Sequence, residues 1–117
     1  MAYTVEYYEK EDGSRPAEEF ILSQDKKMMA KIYMIFEFLK YQGPALREPY
    51  SKPLGDGIFE IRAKSGSNIS RVLYFFVIGK KVIITNGFVK KTRKTPLEEI
   101  KKAKRFRSDY QQREGNG

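Results

Sequence analysis

Val72-Leu73-Tyr74-Phe75-Phe76-Val77-Ile78 is apolar at every position, and no other stretch limits the possible folds so strongly. Seven residues fall far short of the roughly 20 that a membrane-spanning helix needs. The run is rich in β-branched and aromatic residues, begins after Arg71 and ends at Gly79-Lys80, so it reads as a strand. Strand side chains alternate between two faces. A strand apolar at every position is therefore expected at the centre of a sheet, covered on both sides.

The flanking sequence supplies its neighbours. Ile58–Lys64 and Lys81–Lys90 read as strands on either side of a strand over Ser70–Ile78. Gly79-Lys80 is a short hairpin turn, and Ser65, Gly66, Ser67 and Asn68 make a looser one. Near the N-terminus, Thr4-Val5-Glu6-Tyr7-Tyr8 alternates as a first strand, and Asp12-Gly13-Ser14 is a turn. Ser14 is placed to cap a helix with Pro16 in its first turn, carrying Phe20, Ile21 and Leu22. A second helix is predicted from Asp25 to Gln42, because Met28, Met29, Ile32, Ile35, Phe36 and Leu39 recur at three- and four-residue steps. These side chains are read as core. Gly43-Pro44 ends that helix, and residues 43–57, with Pro44, Pro49, Pro53, Gly55 and Gly57, read as a connection. A last helix starts with Thr95 as N-cap, Pro96 in the first helical position and Glu98 completing a capping box. Its apolar stripe is Leu97, Ile100, Ala103, Phe106 and Tyr110, and residues 111–117 read as a frayed tail. The order is β-α-α-β-β-β-α. The expected fold class is α+β: a small antiparallel-rich sheet packed on N-terminal helices, with a C-terminal helix. With 117 residues and no internal repeat, residues 1–117 are expected to form a single domain.

Composition removes whole classes of chemistry. The chain has no cysteine and no histidine, so disulfides, thiolate sites and the commonest metal ligand and neutral-pH base are absent. No metal or cofactor is expected. No phosphate loop, dinucleotide fingerprint or nucleophile elbow occurs. Glu18-Glu19 and Glu98-Glu99 stand at helix starts, where carboxylates complement the helix dipole. The N-terminus has no signal-peptide pattern, and a soluble cytoplasmic protein without membrane contact is expected.

What remains is charge. The net charge is +8. Most of it lies in residues 90–107, where Lys90, Lys91, Arg93, Lys94, Lys101, Lys102, Lys104, Arg105 and Arg107 face only Glu98 and Glu99. A concentrated basic field attracts polyanions, above all nucleic acid. Further cations sit on strands. In Ile58–Lys64, Glu60, Arg62 and Lys64 share one face, and Arg71 opens the apolar strand. With Gly79-Lys80 as the turn, Arg71 falls opposite Phe88. Arg62, Lys64, Arg71, Lys90 and Lys91 should then converge at one end of the sheet. Whether Arg62 and Arg71 share a face is left open by the looser hairpin. Such a cluster of like charges calls for an anionic partner, and a phosphate suits it.

The segments "IFEIR", "SRVLYFF", "GFVKKTRKTP" and "LEEIKKAKRFRSDY" together resemble the RelE/ParE toxin superfamily, most closely its phage-derived HigB-like branch. The resemblance is specific over residues 58–110 and looser over the rest. It implies the toxin of a toxin–antitoxin pair that cuts messenger RNA in the ribosomal A site. The implied partners are the ribosome, its message and a helix-turn-helix antitoxin. The family's arginine at the start of the central strand falls on Arg71, and its basic residues on the preceding strand fall on Arg62 and Lys64. Those ending the last strand fall on Lys90 and Lys91, with Arg93 nearby. Many HigB-type members carry a histidine near the end of the last strand, where this chain has Asn86; others use a C-terminal tyrosine, for which Tyr110 is available.

Cleavage by the RNA's own 2′-hydroxyl needs a base, an acid and cations for the charge that develops on phosphorus. Arg62 and Arg71 are the expected charge stabilisers. Without histidine, the base falls to a lysine whose pKa is lowered by its neighbours, or to a carboxylate: Lys64, Lys90 or Glu60. Lys91, Arg93, Lys94, Lys101, Lys102, Lys104, Arg105 and Arg107 are the expected RNA contacts, mostly to phosphates. The rival readings are a non-catalytic gyrase inhibitor of the ParE type and a small RNA- or ribosome-binding protein.

Overall fold

The computed structural model describes residues 2–114. Its elements in chain order are β1 (Thr4–Tyr7), α1 (Pro16–Leu22), α2 (Lys26–Gln42), a 3₁₀ turn (Gly43–Ala45), β2 (Ser51–Gly55), β3 (Ile58–Ser65), β4 (Asn68–Val77), β5 (Lys81–Val89) and α3 (Leu97–Arg113). The five strands form one sheet in the order β1-β5-β4-β3-β2, with β1 parallel to β5 and every other pair antiparallel. The α+β class is borne out, and β4 is central as its apolar run requires. Val72, Leu73, Tyr74 and Phe75 are buried. Coverage stops short of the run's end, because Ile78 lies in the β4–β5 turn and is fully exposed.

Each face has its own core. Ile61, Ala63, Val72, Tyr74, Val82 and Ile84 pack against Ala17, Ile21, Met28, Ile32, Ile35 and Leu39 of α1 and α2. Ile58, Leu73, Phe75 and Ile83 face the other way, against Ala103 of α3 and Tyr8. α2 begins one residue later than predicted, because Asp25 is its N-cap and accepts from the Met28 N–H at 2.8 Å. It ends at Gly43, whose φ is +52°, and a Cβ there would stand 2.3 Å from the Tyr3 ring. Only glycine meets both demands.

Several expectations are corrected. Residues 51–55 are a strand, not part of a loop. The Arg62 N–H donates to Tyr50 O, so the next hydrogen-bonded pair in the ladder is Lys52 with Glu60, and Pro53 falls where its nitrogen points away from β3. An edge strand tolerates proline there. Ser14 does not cap α1; it bonds to Asp12, and the cap position is Arg15, with no side-chain cap. The cap position of α3 is Pro96, again without a side-chain cap, so the Thr95–Glu98 capping box does not form. Leu97 leaves the predicted stripe and is exposed. The predicted tail is helical to Arg113; residues 115–117 lie outside the described residues. The β4–β5 turn holds three residues, since Val77 pairs with Lys81, and a bulge at Thr85 then restores the offset so that Arg71 does pair with Phe88. The expected pairing is correct because these two irregularities cancel. Among the described residues no helix is long and apolar enough to cross a membrane.

Candidate functional site

Arg62 and Arg71 are direct cross-strand partners in the β3–β4 ladder. Directly opposed residues share a face, so the question left open by the looser hairpin is closed: both lie on the α3 side, with Glu60 two residues before Arg62. Such neighbours would repel without a counter-charge. Glu60 supplies it. Its carboxylate is buried at 1 % exposure and accepts from Arg71 Nη1; Arg62 Nε lies 3.4 Å from the same oxygen. Its other oxygen accepts from the Thr95 hydroxyl. A buried carboxylate with this many partners is anchored. Glu60, one of three candidate bases in the sequence reading, therefore has both oxygens engaged.

Arg71 is 4 % exposed, and its Nε–H is buried with no partner among the described residues. Burial pushes its pKa down, against the pull of Glu60 and with help from Arg62. A guanidinium starts so high that it stays charged at neutral pH. Arg62 is less enclosed and also lies 3.5 Å from Glu48. Lys90 continues β5 beyond Phe88 and is half-buried; its N–H donates to Ile69 O. Partial burial, then the cations Arg71 and Arg62, lower its pKa. Lys64 is exposed at the end of β3, and Lys91, Arg93 and Lys94 are exposed on the loop that follows Lys90. The structure thus brings Arg62, Arg71, Lys90 and Glu60 together, with Lys64 at the rim.

The α3 cations are divided. Lys104 and Arg107 both turn to Asp56 in the β2–β3 turn, at 3.4 and 3.0 Å. Lys102 lies 3.6 Å from Glu99. Lys102 and Arg105 line a cleft of about 500 Å³ with Lys10 and Phe106, and Lys101 is exposed. Asn86 is buried under the first turn of α3 and donates to Glu99 Oε1 at 3.0 Å. Tyr110 sits at the far end of the sheet, edge-on to Phe75 at 5.8 Å and beside Ile78 in a cavity of about 460 Å³. It is remote from the arginine pair. Thr95 was missed as a site residue because a threonine before proline, three residues ahead of a glutamate, is a helix-start signature in sequence.

A five-stranded sheet with two helices on one face, one on the other and a cationic end built on adjacent strands defines a RelE-like α+β protein. Residues 19–108 match the family described as phage derived protein Gp49-like, and the chain belongs to that RelE/HigB-like family. The fold is similar to a chain in the crystal structure of the archaeal RelE–RelB complex from Pyrococcus horikoshii OT3, with a TM-score of 0.51 at 19 % identity, over 76 % of this chain and 96 % of that one. Among curated proteins no significant match is found.

Proposed function

We propose that this protein is the toxin of a toxin–antitoxin pair and a metal-independent, ribosome-dependent endoribonuclease that cuts translated message in the A site. One observation carries the reading: two arginines directly opposed on adjacent strands, oriented by one buried carboxylate, at the cationic end of a RelE-like sheet. The phosphate to be cleaved sits against Arg62 and Arg71. The RNA 2′-oxygen attacks phosphorus, the bond to the 5′-oxygen breaks, and a 2′,3′-cyclic phosphate remains. The arginines stabilise the added negative charge of the phosphorane, and little reorganisation is needed because they are already held. Lys90, with its lowered pKa, takes the 2′-hydroxyl proton. Lys64, exposed beside the pair, is the donor for the leaving 5′-oxygen. Glu60 orients the arginines rather than acting as the base.

The loop cations Lys91, Arg93 and Lys94 and the α3 cations Lys101, Lys102 and Arg105 contact RNA phosphates; Lys104 and Arg107 contribute less, being held by Asp56. A cytoplasmic setting follows from this substrate. The similarity to a chain solved within a RelE–RelB complex supports a protein antitoxin, here a helix-turn-helix partner encoded alongside. The test is expression alone and with the neighbouring gene product, with primer extension on a translated message in a reconstituted system. Growth arrest with cleavage inside codons, relieved by the partner, is expected. Arrest without cleavage would favour the gyrase-type reading.

A further inference from the structure

Thr95 is placed to cap α3 and does not. Its hydroxyl crosses to β3 and donates to Glu60, 35 residues earlier in the chain, and α3 starts at Pro96 without a side-chain cap. Places where a strong local preference is overridden tend to be functional. The geometry is stiff at both ends. Thr95 precedes a proline, which confines its backbone to extended conformations, and its β-branch restricts χ1. Glu60 sits in a paired strand two positions from the arginine pair, on the same face, and its two oxygens are divided: one to the arginines, one to Thr95. Rotating the carboxylate would disturb both sets of contacts. Between Lys90 and Pro96, the Thr95 bond is the side-chain hydrogen bond that ties the cationic loop to the sheet among the described residues; the loop's other one, from Thr92 to Lys94 O, is internal.

We propose that Thr95 is a positioning residue: through Glu60 its hydroxyl locks the loop cations Lys91, Arg93 and Lys94 to the Arg62–Arg71 pair, so that both sets meet one RNA backbone in a fixed relation. The role in cleavage rests on the ribonuclease reading above; the tether itself does not. A loop held this way keeps its charges aligned with the arginines once RNA is bound, and the arginines keep the direction that in-line attack requires.

The test uses Thr95→Val, which keeps shape and removes the hydroxyl, and Thr95→Ser, which restores it. Single-turnover message cleavage at saturating ribosomes, ribosome pelleting, and ¹H–¹⁵N spectra of the arginine Nε–H groups are measured below the melting temperature of each variant. Thr95→Val should cleave about tenfold to a hundredfold more slowly, with ribosome affinity within about twofold of wild type. The buried Nε–H of Arg71 should shift and exchange faster with solvent. Thr95→Ser should recover most of the rate and the wild-type Arg71 signal. The proposal is overturned if Thr95→Val leaves the Arg71 resonance and the rate as in wild type, if Thr95→Ser behaves like Thr95→Val, or if rate and affinity fall in proportion. If wild type cuts no message, the ribonuclease reading fails, and the Arg71 resonance alone decides the tether.

Discussion

At the scale of single residues, the site depends on a buried ion pair. Arg71→Ala removes the closest partner of a buried carboxylate, and breaking such a pair typically costs about 3–5 kcal/mol. The variant should therefore melt earlier, and its cleavage rate should be taken at a temperature where circular dichroism shows it folded. There it should be slower by about 10²-fold or more while still pelleting with ribosomes. Arg71→Lys restores charge but not the planar fork, so it should recover little. A wild-type rate for folded Arg71→Ala would make Arg71 purely structural. Lys90 gives a pH signature. Its pKa lies below the ordinary lysine value of 10.5, so the neutral, proton-accepting form appears at lower pH than for a free lysine. Cleavage should rise with pH and level off before 10.5. Lys90→Arg, which cannot lose its proton, should remove that rise.

Elements are held to the sheet by a few close contacts. α1 meets β5 where Phe20 lies over Gly87; a Cβ at Gly87 would sit 2.4 Å from the Phe20 ring. Gly87→Ala must displace that ring and should cost about 1–3 kcal/mol, measured by urea denaturation, as overpacking does elsewhere. An unchanged midpoint would show that Phe20 can swing aside freely. α3 is tied to the first strand by the Tyr8 hydroxyl, which donates to Asp109 at 2.6 Å, and by stacking of Tyr8 on Phe106 at 4.6 Å. Burial, then the bond to Asp109, raises the Tyr8 pKa to about 12. The neutral phenol is the form that folding favours. Its contribution is complete below the ordinary value near 10 and is lost as pH rises to about 12. Over that window the melting temperature of wild type should fall more than that of Tyr8→Phe. Parallel curves would mean that Tyr8 is not coupled to folding.

The whole molecule carries a net charge of +8, and its cations are not equivalent. Lys101 and Arg105 are exposed on α3, whereas Lys104 and Arg107 hold Asp56. Ribosome affinity should fall steeply with salt, with each phosphate contact adding roughly 0.7–0.9 to the log–log slope, by analogy with simpler nucleic acids. Paired replacement of Lys101 and Arg105 by alanine should flatten that slope. The same change at Lys104 and Arg107 should flatten it less and loosen the β2–β3 turn instead. Pelleting across a salt series measures both, and affinity independent of salt would remove the phosphate-contact assignment.

The sequence by itself determined the local and periodic features. An unbroken apolar run put β4 at the centre, three- and four-residue spacing defined α2, and alternation placed Glu60, Arg62 and Lys64 on one face. These follow from the backbone's own period and from neighbours a few residues away. The tertiary structure decided whatever depended on distant partners. Pro53 reads as a loop residue until β3 lies on one side of it only. Arg71 pairs with Phe88 only because a three-residue turn and the Thr85 bulge offset each other. Arg62 and Arg71 share a face because the β3–β4 hairpin sets that register. Thr95 reads as a cap until folding delivers a buried carboxylate to its hydroxyl, and bonding that charged group then outweighs capping one backbone N–H, because a carboxylate left short of donors in the interior costs more than a helix end open to water.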